Sequence, residues 1–325
     1  MEYRQLGKTS LYVSPICIGT VQFGTGLDRD SSFWQLDAFT EGGANFIDTA
    51  RVYGDWVEGE RARSEKLIGQ WIKKRGNRDR LVILTKGAHP LLQSMDVSRC
   101  TPADIRTDIE GSLLDLGIDQ IDLYLLHRDN TALPVGPLLD ELEKARLEGK
   151  IKHYGFSNWT LSRAREAEDY TRKTGIEGFS CNQIRWSLAE INAENIADKT
   201  TVAMDVDFYK WHCESLCSLT AYTSTARGWF SKLAKGEEVP ERLKSIYAGE
   251  TNDKIFSRIQ EASRDLNISV HNISLAYMRE HPFSALPVTS FSKKEQLEEA
   301  LKSCDIVLPD VLDVLMEELN QLKGL

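Results

Sequence analysis

Phe46-Ile47-Asp48-Thr49-Ala50, Ile83-Leu84-Thr85-Lys86 and Tyr124-Leu125-Leu126-His127 each end an apolar, strand-like run on a polar side chain. Tyr53 follows Asp48 by five residues, in Arg51-Val52-Tyr53-Gly54. A lysine inside an apolar strand needs a counter-charge, because an isolated buried ammonium loses its proton. Asp48, on the preceding strand, can supply it. Singly, each residue has an ordinary role: Asp48 a turn former, Tyr53 a wall, Lys86 a snorkelling cation, His127 a satisfied rim histidine. Neighbouring strand ends would make all four converge, and the set then has a job in proton transfer. An ammonium beside a phenol favours phenolate, so Lys86 is expected to lower the Tyr53 pKa from ~10 and make it a usable proton donor.

The elements that must position them recur regularly. Predicted strands are Ser14–Gly19, Asn45–Thr49, Leu81–Lys86, Ile121–His127, Lys152–Ser157, Phe179–Ile184, Ser218–Thr223 and Ala285–Thr289, short and mostly not alternating, as strands covered on both faces are. Between them lie helical patterns with physical start and stop signals. Thr101 caps a helix with Pro102 at its first position and the stripe Ile105, Ile109, Leu113 and Leu116, closed by Gly117. Ser64 opens another that carries Leu67, Ile68, Trp71 and Ile72. Leu138, Leu139, Leu142 and Ala145 mark a third before Gly149, and Thr160 caps a fourth that Gly175 stops. Ser292-Lys293-Lys294-Glu295 has capping-box spacing ahead of Leu297 and Leu301.

Eight strands alternating with helices, with no linker between, argue for a single (β/α)8 barrel over residues 1–325 rather than two domains. The segment from Tyr3 to Val13 breaks that rhythm. It reads as an N-terminal β-hairpin turning at Gly7-Lys8, able to plug the barrel floor. The connections Ser187–Leu216 and Ala226–Asp253, after the sixth and seventh strands, are longer than a simple unit requires. Both follow strands, so both belong to the face where barrels carry their sites.

Composition bounds the function. Of 325 residues, 41% are hydrophobic and 27% charged, enough for a large core and too apolar for wholesale disorder. Lys and Arg number 40 against 49 Asp and Glu, with no basic run, so a nucleic-acid partner is not expected. No run approaches ~18 uncharged apolar residues and the first residues do not form a signal peptide, so a cytoplasmic protein without a membrane partner is expected. The six cysteines show no Cys-x-x-Cys pair, and His212-Cys213 with Cys217 lacks a second cluster to complete a metal site, so reduced thiols and no metal are expected.

The sequence resembles the aldo-keto reductases, nicotinamide-dependent oxidoreductases built on the (β/α)8 barrel. The likeness runs from Leu6-Gly7-Lys8-Thr9-Ser10 and Val13-Ser14-Pro15-Ile16-Cys17-Ile18-Gly19-Thr20, through Phe46-Ile47-Asp48-Thr49-Ala50 and Gly155-Phe156-Ser157-Asn158, to Ala221-Tyr222-Thr223-Ser224-Thr225-Ala226-Arg227-Gly228. By that resemblance the family tetrad falls on Asp48, Tyr53, Lys86 and His127, with Tyr53 as general acid, Lys86 held by Asp48, and His127 orienting the carbonyl. It also implies carboxamide contacts from Ser157, Asn158 and Gln183, and Tyr222 stacked on the nicotinamide. A belt from Thr223 to Asp253, including Ser224, Ala226 and Gly228, would close over the pyrophosphate. Gly19-Thr20-Val21-Gln22-Phe23-Gly24-Thr25-Gly26 is neither Gly-x-Gly-x-x-Gly nor a P-loop, since Thr25 stands where Lys is required.

At the 2′-phosphate the chain departs from the family pattern. Ser290-Phe291 stands in place of a Lys-Ser pair, Gln296 in place of an Arg, and Ala300 in place of an Asn, while Glu299 keeps the acidic adenine contact. Lys293 and Lys294, in the first turn of a helix whose amides already favour an anion, supply the charge instead. NADP(H) is the expected cofactor, with NAD(H) tolerated. Phe23, Trp56, Arg128, Trp186 and Trp229 are the candidate substrate contacts, suited to a polar carbonyl compound such as a sugar derivative. The expected partner is that small carbonyl or alcohol, and the expected state a monomer or weak homo-oligomer. Two other readings differ in their tests. A Schiff-base lyase using Lys86 would be trapped by borohydride with substrate. A cofactor-binding regulatory or redox-sensing subunit would bind the reduced cofactor and turn over no carbonyl.

Overall fold

The computed structural model describes residues 1–306 and 311–325. Two short antiparallel strands come first, β1 (Arg4–Gln5) and β2 (Tyr12–Val13), with Arg4 opposite Val13. Eight parallel strands follow: β3 (Cys17–Gly19), β4 (Phe46–Asp48), β5 (Val82–Gly87), β6 (Ile121–Leu126), β7 (Ile151–Ser157), β8 (Cys181–Gln183), β9 (Ser218–Ala221) and β10 (Ala285–Thr289). They close in chain order, β10 pairing with both β9 and β3, so the architecture is the expected (β/α)8 barrel with an N-terminal hairpin.

The helices around it are α1 (Arg29–Glu41), α2 (Arg63–Arg75), α3 (Pro102–Leu116), α4 (Val135–Leu147), α5 (Leu161–Thr174), α6 (Val206–Ser215), α7 (Trp229–Lys235), α8 (Glu241–Tyr247), α9 (Glu250–Leu266), α10 (Val270–Tyr277), α11 (Lys294–Ser303) and α12 (Val311–Lys323). None is long and apolar enough to cross a membrane, among the described residues. The long connection after β8 contains α6, and the one after β9 contains α7 and α8 and runs into α9.

Side chains alternate in and out along each strand, and that parity explains where polar groups go. One buried cluster joins Cys17, Phe46, Val82, Leu84, Leu123, Leu125, Cys181, Leu286 and Val288 with Leu6, Leu11 and Val13 of the hairpin. The hairpin therefore closes the barrel floor. Two residues further along each strand, the same inward parity gives Asp48, Lys86, His127, Gln183 and Ser290. A dry apolar layer thus sits below a polar one at the C-terminal mouth.

Local expectations hold where a cap does the work. Thr101 accepts from Asp104 N, and Thr160 from Arg163 N. Two differ. Helix α2 begins at Arg63 after a left-handed Ala62, and Ser64 is no cap: its hydroxyl bonds Thr20 and Thr49 inside the protein. At α11 the N-cap is Lys293, and the reciprocal side chain is Gln296 rather than Glu295. Its Oε1 accepts from Ser292 N (2.9 Å) and Lys293 N (3.1 Å), because Gln296 is the residue three positions past that cap.

Candidate active site

Lys86, on β5, is fully buried, and its ammonium is surrounded by acceptors. Nζ lies 2.7 Å from Asp48 Oδ1, 2.8 Å from Thr49 O and 3.3 Å from Tyr53 OH. Three N–H bonds meet three oxygens, so the cation has no unmet donor. Burial works against its charge, but Asp48 and Tyr53 outweigh burial and hold its pKa above the ordinary value. Asp48 is also fixed from the far side, where Gln183 Nε2 donates to Oδ1 at 2.8 Å and to Thr220 Oγ1 at 3.1 Å.

Tyr53 reaches this group from the turn after β4. Its ring sits edge-on to His127, centroids 6.0 Å apart and planes at 74°. The expected lowering of its pKa is overturned: burial, the largest influence, outweighs the opposing pull of Lys86, and the pKa is raised. The reason is placement, since the phenol is set down among packed side chains with the carboxylate of Asp48 nearby. The phenol therefore keeps its proton at neutral pH, and Lys86 limits the cost of giving it up. His127, just past β6, is kept neutral by burial and then by the charge of Arg128, with His89 and Lys86 adding to the effect. Its Nδ1 is buried without a partner among the described residues.

Ser157, Asn158, Gln183 and Tyr222 come together beside the tetrad. Ser157 Oγ donates to Gln183 O (2.7 Å), and Asn158 Nδ2 donates to Ser157 Oγ (2.8 Å). Asn158 has a left-handed backbone, φ 59°, a conformation asparagine tolerates better than most residues. Its Oδ1 accepts from Tyr222 OH (2.8 Å) and from Val202 N (3.1 Å). Gln183 joins this group to Asp48, so both sets share one hydrogen-bonded network.

Past β9 the chain turns through an unusual run: Thr223, Ala226 and Arg227 all have φ near +50° to +57°, followed by Gly228 at +77°. Non-glycine residues hold that conformation only where surroundings enforce it. Ser224 Oγ, buried, donates to Val288 O at 2.8 Å and pins the turn to β10. The guanidinium of Arg185 lies 5.3 Å from the Tyr222 ring centroid, and its Nε is buried without a partner. Arg227 has its pKa pushed down, first by burial and then by Arg242 and Arg185. None of these three arginines has a carboxylate partner among the described residues, in a chain whose net charge is −9. An unneutralised cationic group beside an enforced turn fits a dinucleotide's pyrophosphate.

The 2′-phosphate candidates are dispersed in their commitments. Gln296 is spent on capping α11. Ser290 Oγ donates to Gly19 O at 2.8 Å, and Glu299 accepts from Ser269 Oγ, the cap of α10, at 2.5 Å. Lys294 lies 3.5 Å from Glu298 and faces the Trp34 ring, leaving the exposed Lys293 as the N-cap of α11.

Of the expected substrate contacts, three are packed inside the protein. Phe23 is fully buried, anchoring the loop after β3. Trp186 packs among Tyr209, Tyr277, His281 and Phe283, because its position sends the ring into the layer between barrel and helices. Trp229 is buried against Tyr247 inside the segment after β9. Arg128 is taken up by its neighbours: it donates to Asp198 Oδ2 (2.9 Å), Thr200 Oγ1 (2.9 Å) and His127 O (2.8 Å). Trp56 is half exposed on the loop after β4.

Sequence reasoning missed the segment from Asp198 to Met204. Tied to Arg128 and Asn158 and paired with Arg185 through Val202 O and Met204 N, it forms a wall of the mouth. Its polar, short-side-chain composition carries no periodic signal. Likewise unassigned were Arg185 and His89, the latter only three residues past Lys86. His212 bonds Cys217 O through Nδ1 (2.9 Å) and Asn182 through Nε2 (3.1 Å), so both ring nitrogens are engaged.

Comparison with known proteins shows the family. The sequence model described as the Aldo/keto reductase family matches residues 15–312. The chain is 28% identical over 314 residues to the uncharacterised oxidoreductase YrpG of Bacillus subtilis, spanning 95% of this chain and 92% of that one. It is 26% identical to the aryl-alcohol dehydrogenase [NADP(+)] of Phanerodontia chrysosporium, over 99% of this chain and 87% of the relative. The holo form of an aldo-keto reductase from Bacillus halodurans superposes with a TM-score of 0.75 at 22% identity, covering 99% of this chain and 96% of that one. The barrel, the matched span and these relatives agree: the chain belongs to the aldo/keto reductase family, oxidoreductases that act on carbonyl compounds.

Proposed function

We propose that this protein reduces an aldehyde or ketone to the alcohol with NADPH, using Tyr53 as the proton donor. The observation that carries this reading is the anchoring of Lys86 to Asp48, Thr49 and Tyr53. A phenol oxygen that accepts from an ammonium has its own proton free to point elsewhere, here toward the mouth. The phenolate left after transfer is stabilised by the same cation. His127 supports the arrangement. With its proton on Nε2, only a lone pair is left at the buried, unpartnered Nδ1, which costs less than an orphaned N–H. Tyr53 and His127 then offer two donors to the carbonyl oxygen, where negative charge builds as the alcohol forms. The same bonds disfavour Lys86 as a nucleophile, because a charged ammonium has no free electron pair.

When bound, the nicotinamide supplies the hydride. Ser157, Asn158 and Gln183 would hold its carboxamide and Tyr222 its ring. Arg185 and Arg227 would hold the pyrophosphate, within the turn formed by Thr223, Ser224, Ala226 and Gly228. Lys293 and Lys294 would meet the 2′-phosphate at the start of α11, with Ser290 and Glu299 nearby in sequence. Lysines bind phosphate as point charges without a guanidinium's fork, so NADPH is preferred modestly and NADH is tolerated. The name of the Phanerodontia chrysosporium relative includes NADP(+), which supports the same choice. The substrate is a polar carbonyl compound, with Trp56 at the rim. The test is a panel of aldehydes, ketones and sugars with each reduced nicotinamide, followed by loss of the reduced-nicotinamide absorbance. Turnover with NADPH and slower turnover with NADH is the expected result. Bound NADPH that no carbonyl oxidises would overturn the reading.

A further inference from the structure

His89 stands beside His127 at the mouth, their ring centroids 4.8 Å apart and their planes at 63°. Its place is enforced. The preceding residue, Ala88, is left-handed at φ 60°, and its N–H donates to Asp108 Oδ2 at 2.8 Å. Arg99 bonds that same carboxylate and also donates to His89 O at 3.3 Å. An alanine held in that conformation marks a segment whose shape its surroundings over-determine.

The ring's chemistry is also fixed. His89 Nδ1 lies 2.7 Å from Pro90 O, and a carbonyl oxygen only accepts, so Nδ1 carries the proton. Nε2 is therefore an acceptor; no group among the described residues bonds it, and it is not sealed from solvent. Burial first, and then Arg128, keep the ring neutral. An acceptor in this place can take a donor from a ligand that displaces solvent. Two guanidiniums, Arg128 and Arg99, act on the ring against the one carboxylate of Asp198, which disfavours an ammonium, and a carboxylate brings no proton to share. A neutral hydroxyl fits.

We propose that His89 Nε2 accepts a hydrogen bond from a substrate hydroxyl on the carbon next to the carbonyl, which makes hydroxy-aldehydes and hydroxy-ketones the preferred substrates. This rests on the carbonyl-reductase reading above. With His127 facing the carbonyl oxygen, the ring spacing matches a group one carbon away. His89 acts on specificity and leaves the hydride and proton steps to the tetrad.

The experiment compares glyceraldehyde with propanal, and hydroxyacetone with acetone, for the wild type, His89→Leu and His89→Gln. Aldehyde hydration cancels when each variant is compared with wild type on the same substrate. The wild type should favour the hydroxylated member by roughly fivefold or more in kcat/KM, a single hydrogen bond's worth. His89→Leu should bring that ratio near one by raising KM for the hydroxylated member more than for the plain carbonyl. His89→Gln, which keeps an acceptor, should restore part of it. A His89→Leu variant that slows both members equally, or keeps the wild-type ratio, overturns the assignment while the reductase reading stands. A wild type that reduces none of the four overturns both.

Discussion

Removing Lys86 should cost stability in a way that reveals why it is there. In Lys86→Met the carboxylate of Asp48, 3% exposed, keeps only its bond from Gln183 and loses the ammonium 2.7 Å away. Breaking a buried ion pair by removing one partner costs about 3–5 kcal/mol, a large share of a net stability of ~5–15 kcal/mol. Neutralising both partners removes the stranded charge, so Asp48→Asn with Lys86→Met should recover about half of that loss or more. The assay is equilibrium unfolding in urea at neutral pH for the wild type, both single variants and the double variant. A coupling of about 2 kcal/mol is expected. A double variant no more stable than Lys86→Met would mean the pair is held by packing, and the electrostatic account of Lys86 would fail.

Acid should weaken the fold partly through His212. Its pKa is pushed down from 6.5 to about 4 by burial, its Nε2 accepting from Asn182. A depressed histidine contributes stability that is present above pH ~6.5 and lost as pH falls toward 4, up to about 3 kcal/mol. Urea midpoints should fall across that window and fall less in His212→Gln; equal slopes would refute it. Lys293→Ala should lower the NADPH-over-NADH ratio of kcat/KM about two- to fivefold at low salt and less at moderate salt, and Lys294→Ala less, because Lys294 is shared with Glu298. An unchanged ratio in both would place the 2′-phosphate elsewhere.

The barrel was legible because each strand is a short apolar run flanked by caps and glycines. The convergence of Asp48, Lys86 and His127 was legible because period-two alternation puts them one rung above Phe46, Leu84 and Leu125. What escaped depends on where a side chain turns after the strand ends. Trp186 and Phe23 read as rim residues by position alone, yet backbone direction sends both rings into packing. Arg128 follows His127 directly, but its partners Asp198 and Thr200 are about 70 residues away, a pairing that only the folded chain brings about. The Tyr53 pKa failed for a related reason: a neighbouring lysine is visible in sequence, whereas the burial that outweighs it is not. His89 lay beside Lys86 in sequence, but its role depends on the Pro90 bond that sets its tautomer.

The most direct test of the central claim is Tyr53→Phe, which keeps the ring against His127 and removes the phenol that Lys86 holds. Steady-state reduction of the best carbonyl in the panel and NADPH binding by fluorescence should be measured side by side. A positioned acid contributes roughly 100- to 10,000-fold, so kcat should fall by that amount with the NADPH Kd little changed. Near-normal turnover by Tyr53→Phe would contradict the account.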